Sequence, residues 1–189
     1  MNNLEKLEEL IYRGFKETDR RIRESSELTD SKIRESSERA DRKILDLSRE
    51  VGNITDTMGR FAENMVAPAI VKVFNEKGIP ITDYAQRVHS QARKIEYDIV
   101  AFNKDYVVVV SVKMTLRVND VKEFLEERLP IFKDVFPRYK EMKVLGAVAG
   151  ASIVQASDIY AMKRGLYVLA QSGDSIALLN DDTFEARVF

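Results

Sequence analysis

The chain has 189 residues, of which 44% are hydrophobic and 32% are charged, so a folded core is expected and wholesale disorder is not. It contains no cysteine and one histidine, which excludes disulfides, cysteine nucleophiles, thiolate zinc sites and a multi-histidine metal site within one chain. The formal net charge is −1, so no overall basic field indicates nucleic acid. The chain shows neither a bilayer-length apolar run nor an apolar leader, which predicts a cytoplasmic protein with no membrane partner.

An 11-residue repeat occupies the first part of the chain. Its three copies are TDRRIRESSEL (18–28), TDSKIRESSER (29–39) and ADRKILDLSRE (40–50). Isoleucine takes the same position in each copy, at residues 22, 33 and 44. This period is typical of a nearly straight or slightly right-handed coiled coil. We predict that residues 1–56 form a helical stalk and that residues 18–50 make the protein a homo-oligomer. The alternative is an isolated, solvated, charged helix, and the many Ser and Thr residues leave the oligomer number open.

Apolar residues become frequent from about residue 58, and their spacing predicts a helix that packs on a core. The stripe consists of Met58, Phe61, Ala62, Met65, Val66, Ala69, Ile70 and Val73. Phe61 is expected in that core. Pro68 should kink this helix or mark a restart, because proline removes a helical hydrogen bond. Gly78 and Pro80 should end it.

The remaining elements alternate between short apolar runs and helical patterns. Strands are predicted at 84–90, 94–102, 105–113, 143–149, 166–170 and 175–179, and helices at about 119–135 and 155–164. The order α, three β, α, β, α, β, β indicates an α/β fold in which helices flank a mixed central sheet. We expect residues 57–189 to form this domain.

Two neighbouring predicted strands carry polar residues beside an apolar, valine-rich core. Side chains alternate along a strand, so Glu96 and Asp98 should share one face, and Ser111 and Lys113 should share a face of the next strand. Lysine is rarely buried without a partner. This group is therefore either a chemical site or an ion pair at the rim of the sheet.

The order of these motifs resembles the PD-(D/E)XK (restriction-endonuclease-like) nuclease superfamily, and more closely a prokaryotic branch in which a helical stalk precedes the domain. The resemblance covers about residues 58–189. It is carried by GRFAENMVAPA (59–69), EYDIVAFN (96–103) and the segment from KVLGAVAG through GLYVLAQSGD (143–174). It implies a restriction-endonuclease-like fold and a magnesium- or manganese-dependent phosphodiesterase that acts on DNA.

The resemblance also implies roles for individual residues. Glu63 matches an acid of the first helix that assists metal binding, although it could equally be a solvated flank. Asp98 matches the metal-binding aspartate, and Lys113 the lysine that steadies the attacking water or the developing phosphate charge. The sequence departs from the motif at Ser111, where an acid is expected, so metal binding should be weak unless Glu96 compensates. The alternative is a catalytically silent nuclease fold that serves as an oligomeric binding or assembly module.

Overall fold

The computed structural model of the protein describes residues 3–154 and 156–189. Its first element, α1, runs from Asn3 to Glu76. The chain divides into two compact units, one extending to Ile54 and the other spanning Thr55–Phe189. Within the described residues, none of the helices combines the length and the apolar composition that a bilayer span requires.

The stalk part of α1 is stabilised by local side-chain pairs, because its residues from 6 to 58 are all exposed. Three such ion pairs are Arg13–Glu9, Arg20–Glu17 and Arg39–Glu35, at 2.7–2.8 Å and spaced three or four residues apart. Each exposed pair of this kind adds a few tenths of a kcal/mol at most, roughly 0.2–0.5. Lasting stability of so long a helix therefore calls for packing of its apolar side chains.

Six strands form one mixed sheet in the order β1-β2-β3-β4-β5-β6. Their bounds are β1 Asp83–Ser90, β2 Ile95–Phe102, β3 Tyr106–Leu116, β4 Lys143–Ile153, β5 Tyr167–Ser172 and β6 Ser175–Leu178. The first three are antiparallel, β3, β4 and β5 are parallel, and β6 is antiparallel to β5. The predicted α/β class and mixed sheet are confirmed.

The sheet is covered on both faces, as its nearly continuous apolar strands require. On one face, the last part of α1, from Ala62 onward, packs through Val66, Ile70 and Phe74 against a cluster that includes Ile99 and Val108. The other face carries the helical segments that follow β3, and its cluster includes Val109, Phe124, Phe132 and Val148. The central strands are therefore buried from both sides.

The single helix predicted over residues 119–135 is wrong, because the segment is broken. It consists of α2 (Val118–Glu123), a π-helical turn (Phe124–Arg128) and α3 (Phe132–Val135), followed by a 3-10 turn at Pro137–Tyr139. The break comes at Pro130, which lacks an N–H and disfavours helical geometry in the residue before it. The helix predicted over residues 155–164 is α4 (Ser157–Lys163), and Gln155 lies outside the described residues.

The core position expected for Phe61 is also wrong, because its side chain is 59% exposed. The buried stripe of α1 begins one residue later and consists of Ala62, Val66, Ala67, Ile70, Val73 and Phe74. One residue rotates a helix by about 100°, which is enough to turn Phe61 away from the sheet. The helix continues through Pro68, which is exposed, so no restart occurs there.

Candidate active site

Asp98 lies where β2 and β3 stop pairing. The antiparallel ladder between them reaches Ile99↔Val110, and Asp98 is the residue just before Ile99. Its neighbour on β1, Arg87, has a φ of +51°, which departs from extended backbone. Irregular points of this kind re-aim side chains in a sheet.

The irregularity changes which face the neighbouring side chains occupy. Strict alternation would put Tyr97 and Ile99 on one face, but Tyr97 packs in the cluster of Val100 and Ile99 in the opposite one. The alternation used to group Glu96 with Asp98 therefore does not hold through this part of β2.

The Asp98 carboxylate is held by the next strand. Its Oδ2 accepts a hydrogen bond from the backbone N–H of Val112 at 2.7 Å and one from the Ser111 hydroxyl at 3.4 Å. Burial raises the pKa of Asp98, while the Val112 N–H, the charge of Lys113 and the Ser111 hydroxyl act in the opposite direction. The net direction is upward, so the charged form of Asp98 is disfavoured by its surroundings.

A cavity of about 60 Å³ opens beside Asp98. It is lined by Glu96, Tyr97, Asp98, Val110, Ser111, Lys113, Asp120, Glu123, Phe124 and Arg128. Four of the five residues singled out from the sequence are thus brought together. The volume suits a few waters or an ion with its waters, and it is too small for a nucleobase.

Glu96 is engaged by two basic side chains of β1. Arg87 Nε donates to Glu96 Oε1 at 3.1 Å, and His89 Nε2 contacts Glu96 Oε2. Arg87 and His89 therefore meet a carboxylate of the neighbouring strand. Both Glu96 oxygens have partners, which limits their availability as ligands.

Glu63, the fifth candidate, is not among the lining residues of this cavity. Burial raises the pKa of its carboxyl, the charges of Asp98 and Glu96 raise it further, and Arg87 and Arg60 lower it. Gln86 Nε2 donates to the backbone carbonyl of Glu63 at 3.3 Å, which ties this turn of α1 to β1. Glu63 is therefore within electrostatic reach of Asp98 from outside the cavity.

Three lining residues, Asp120, Glu123 and Arg128, were not singled out from the sequence. Asp120 Oδ2 accepts the backbone N–H of Arg117 at 2.7 Å and so begins α2. Glu123 follows three residues later. Two acids at this spacing after β3 are visible in the sequence and could have indicated an acidic helix face near the site. No sequence signal pointed to Arg128, because its position depends on the π-helical turn.

Tyr97 fixes the end of that turn. Its hydroxyl donates to the carbonyl of Arg128 at 2.8 Å, and its ring packs edge-on against Phe132. Burial raises the pKa of Tyr97 to about 12, so the phenol stays protonated and able to donate. The Arg128 guanidinium lies 3.9 Å from the Glu123 carboxylate.

The cavity lining is acidic, with four carboxylates (Glu96, Asp98, Asp120, Glu123) and two cations (Lys113, Arg128). Such a lining repels a phosphodiester unless a cation enters with it. The donor chemistry fits a hard ion such as Mg²⁺, which takes oxygen ligands. The ligand count falls short: the described part of the chain has no group of three or more Asp, Glu, His or Cys side chains arranged to hold a metal ion. The donors fit magnesium in kind, and a strong site is not preformed.

Comparison with known proteins adds no relative. No protein-family model matches the chain, and no curated protein does. The functional argument therefore depends on the residues and contacts of this molecule.

Proposed function

We propose that residues 58–189 form a PD-(D/E)XK-type, restriction-endonuclease-like domain, and that the protein is a magnesium- or manganese-dependent phosphodiesterase acting on DNA with a weakened metal site. The observation that carries the proposal is the gathering of Asp98, Lys113 and Glu96 around one acidic cavity at the separation of β2 from β3. Asp98 and Lys113 come from different strands, and both line this cavity.

In this proposal Asp98 would hold the metal from the cavity lining. Glu96 would join it on releasing Arg87 and His89, and Glu63 would have to reach the ion from outside the lining. A bound ion would supply activation of a water molecule and neutralisation of phosphoryl charge. Lys113 steadies the attacking water or the charge that develops on the phosphate, since an ammonium group is a compact positive charge. The Val112 N–H fixes the Oδ2 oxygen of Asp98, a residue that lines the cavity.

Ser111 is the reason for expecting a weak metal site. It stands at the motif position where an acid is expected, and its hydroxyl donates a hydrogen bond to Asp98 Oδ2. A neutral hydroxyl contributes no ligand charge, and ligand charge is a main determinant of affinity for hard cations. The remaining ligands must therefore bind the ion with one negative charge fewer.

A second candidate function is favoured by the same contacts. With Ser111 bonded to Asp98 and with Arg87 and His89 on Glu96, the site is satisfied without a metal. The domain would then be a silent nuclease fold used as a binding or assembly module. In either case we propose that residues 18–50 make the protein a homo-oligomer, since their repeated isoleucines are all about 60% exposed.

The test is to restore the missing acid. Ser111→Glu should tighten Mg²⁺ or Mn²⁺ binding about tenfold or more in calorimetric titration, because it adds a charged ligand. Ser172→Glu, which adds the same charge at an exposed position at the end of β5, is the matched control and should leave metal affinity unchanged. The double variant Ser111→Glu/Asp98→Ala should lose the gain. If Ser111→Glu binds no better than wild type, the metal pocket is not beside Asp98.

Plasmid cleavage separates the two candidate functions. Cleavage by the wild-type protein that Asp98→Ala abolishes supports the phosphodiesterase. A wild-type protein that does not cleave at any metal concentration, beside a Ser111→Glu variant that binds metal, supports the silent module.

A further inference from the structure

The spacing of apolar residues along α1 changes partway down the helix. Up to Ile44 the seam follows the 11-residue repeat, at Thr18, Ile22, Ser26, Thr29, Ile33, Ser37, Ala40 and Ile44. Beyond it the apolar residues step alternately by three and four, at Ile44, Leu47, Val51, Ile54, Met58 and Phe61. Alternating steps of three and four are the 7-residue pattern of a left-handed coiled coil, whereas the 11-residue pattern favours a right-handed or straight one.

Both parts of this seam are exposed to solvent. Ile22 and Ile33 are each 62% exposed, Ile54 is 60% exposed and Phe61 is 59% exposed. The unexpected exposure of Phe61 is thus explained as a continuation of the seam. From residue 4 to residue 54 the helix extends for about 75 Å at 1.5 Å per residue. A seam of that length is ample for the roughly 1,000 Å² of buried surface that a stable interface needs.

Two threonines of the seam have hydroxyls that are already hydrogen-bonded within the helix. Thr18 donates its hydroxyl to the carbonyl of Gly14 at 2.9 Å, and Thr29 donates to the carbonyl of Ser25 at 2.7 Å. A hydroxyl already bonded four residues back does not become an unsatisfied donor when a partner helix covers it. These positions therefore tolerate a facing helix at little cost.

The residues that flank the 7-residue part are compatible with a parallel partner. With Ile44 and Leu47 as core positions, the flanks that meet in a parallel pair are Lys43 with Ser48 and Glu50 with Thr55 of the other helix. Neither pairing places like charges together.

We propose that this seam is occupied by a second copy of the chain, parallel and in register, from the 11-residue part through Phe61. A partner must change its period at the same level along the interface, because the two periods impose different supercoils. An antiparallel copy would set the 7-residue part of one helix against the 11-residue part of the other. A parallel, in-register copy matches at every level. The inference rests on the proposed self-association and adds its direction, register and extent.

The absence of cysteine from the chain allows a direct test on the full-length protein. Ser37→Cys and Ile54→Cys place one thiol in each part of the seam. Arg42→Cys and Asp56→Cys place a thiol on the opposite side of the helix, five and two residues further along, and serve as matched controls. In a glutathione redox buffer, each seam variant should form several-fold more covalent dimer than its control on a non-reducing gel, because a parallel in-register pair brings identical positions together.

Light scattering on the wild-type protein separates the possible failures. A monomer at tens of micromolar overturns self-association, and with it this inference. An oligomer in which the seam cysteines cross-link no more than the controls leaves self-association standing and overturns the parallel register. Cross-linking at residue 37 without cross-linking at residue 54 overturns the extension through Phe61.

Discussion

The two ends of α1 are one helix with two different sources of stability. Residues 1–56 carry 12 basic and 14 acidic side chains, and residues 57–189 carry 18 and 17, so both parts of the chain are close to neutral and net charge does not distinguish them. The two parts differ in burial. Residues 6–58 are exposed, while Ile70 and Phe74 on the same helix are fully buried. A helix thus gains a core only where another element covers its apolar stripe.

Two phenylalanines on α1 give the sharpest form of this comparison. Phe74 is fully buried and packs edge-on against Tyr167, and Phe61 is 59% exposed. Phe74→Ala should lower the free energy of unfolding by about 3–5 kcal/mol, because it leaves a cavity under the sheet. Phe61→Ala should change the free energy of unfolding of the sheet domain by no more than about 0.5 kcal/mol.

Urea unfolding followed by tyrosine fluorescence at low protein concentration measures both variants. Equal losses for the two substitutions would contradict the assignment of Phe61 to the outside of the core.

Two glycines extend the comparison to added volume. A Cβ at Gly146 on β4 would lie 2.5 Å from both Leu129 and Leu166, whereas nothing lies within 4 Å of one at Gly14. Gly146→Ala should therefore cost about 1–3 kcal/mol through overpacking. Gly14→Ala should stabilise the stalk helix by about 0.5–1 kcal/mol. Thermal unfolding followed by circular dichroism measures whether each substitution lowers or raises the stability. A stabilising Gly146→Ala would show that this part of the core is loosely packed.

Within the domain, the buried charge of Asp98 is expected to lower the stability of the folded state. Burial raises its pKa, so the carboxylate is disfavoured at neutral pH, and Asn can still accept the Val112 N–H. Asp98→Asn should raise the free energy of unfolding at neutral pH, because the neutral amide avoids the cost of burying a charge. The gain should shrink as pH falls through the raised pKa, because the wild-type carboxyl is then protonated as well.

Urea denaturation at several pH values checks this, with Asp174→Asn in the exposed turn after β5 as control. A loss of stability at neutral pH would mean that attraction to Lys113 exceeds the cost of burying Asp98.

Removing the stalk should have the smallest effect on the domain. The fragment 57–189 contains the whole sheet and both apolar clusters, so it should unfold cooperatively with nearly the free energy of the full chain. Light scattering should show that it no longer self-associates through residues 18–50. A fragment without a cooperative transition would show that the stalk contributes to the core.

Much of the fold was predictable because its signals are local. The valine run of β3, the glycine and proline after α1 and the 11-residue repeat each report on neighbours in the chain. The candidate site was predictable only as strand residues. That Asp98 binds the Val112 N–H follows from the point at which two strands separate, and no spacing within either strand records that point.

The sequence by itself determined the order of helices and strands, the mixed class of the sheet and the repetitive seam of the stalk, since periodic burial is written into residue spacing. Tertiary structure alone decided that Phe61 faces solvent, that α2 passes into a π-helical turn and that Arg128 reaches the cavity of Asp98. These outcomes depend on contacts between residues far apart in the chain. A hydrogen bond such as that from Tyr97 to Arg128, 31 positions later, leaves no periodic trace in the sequence.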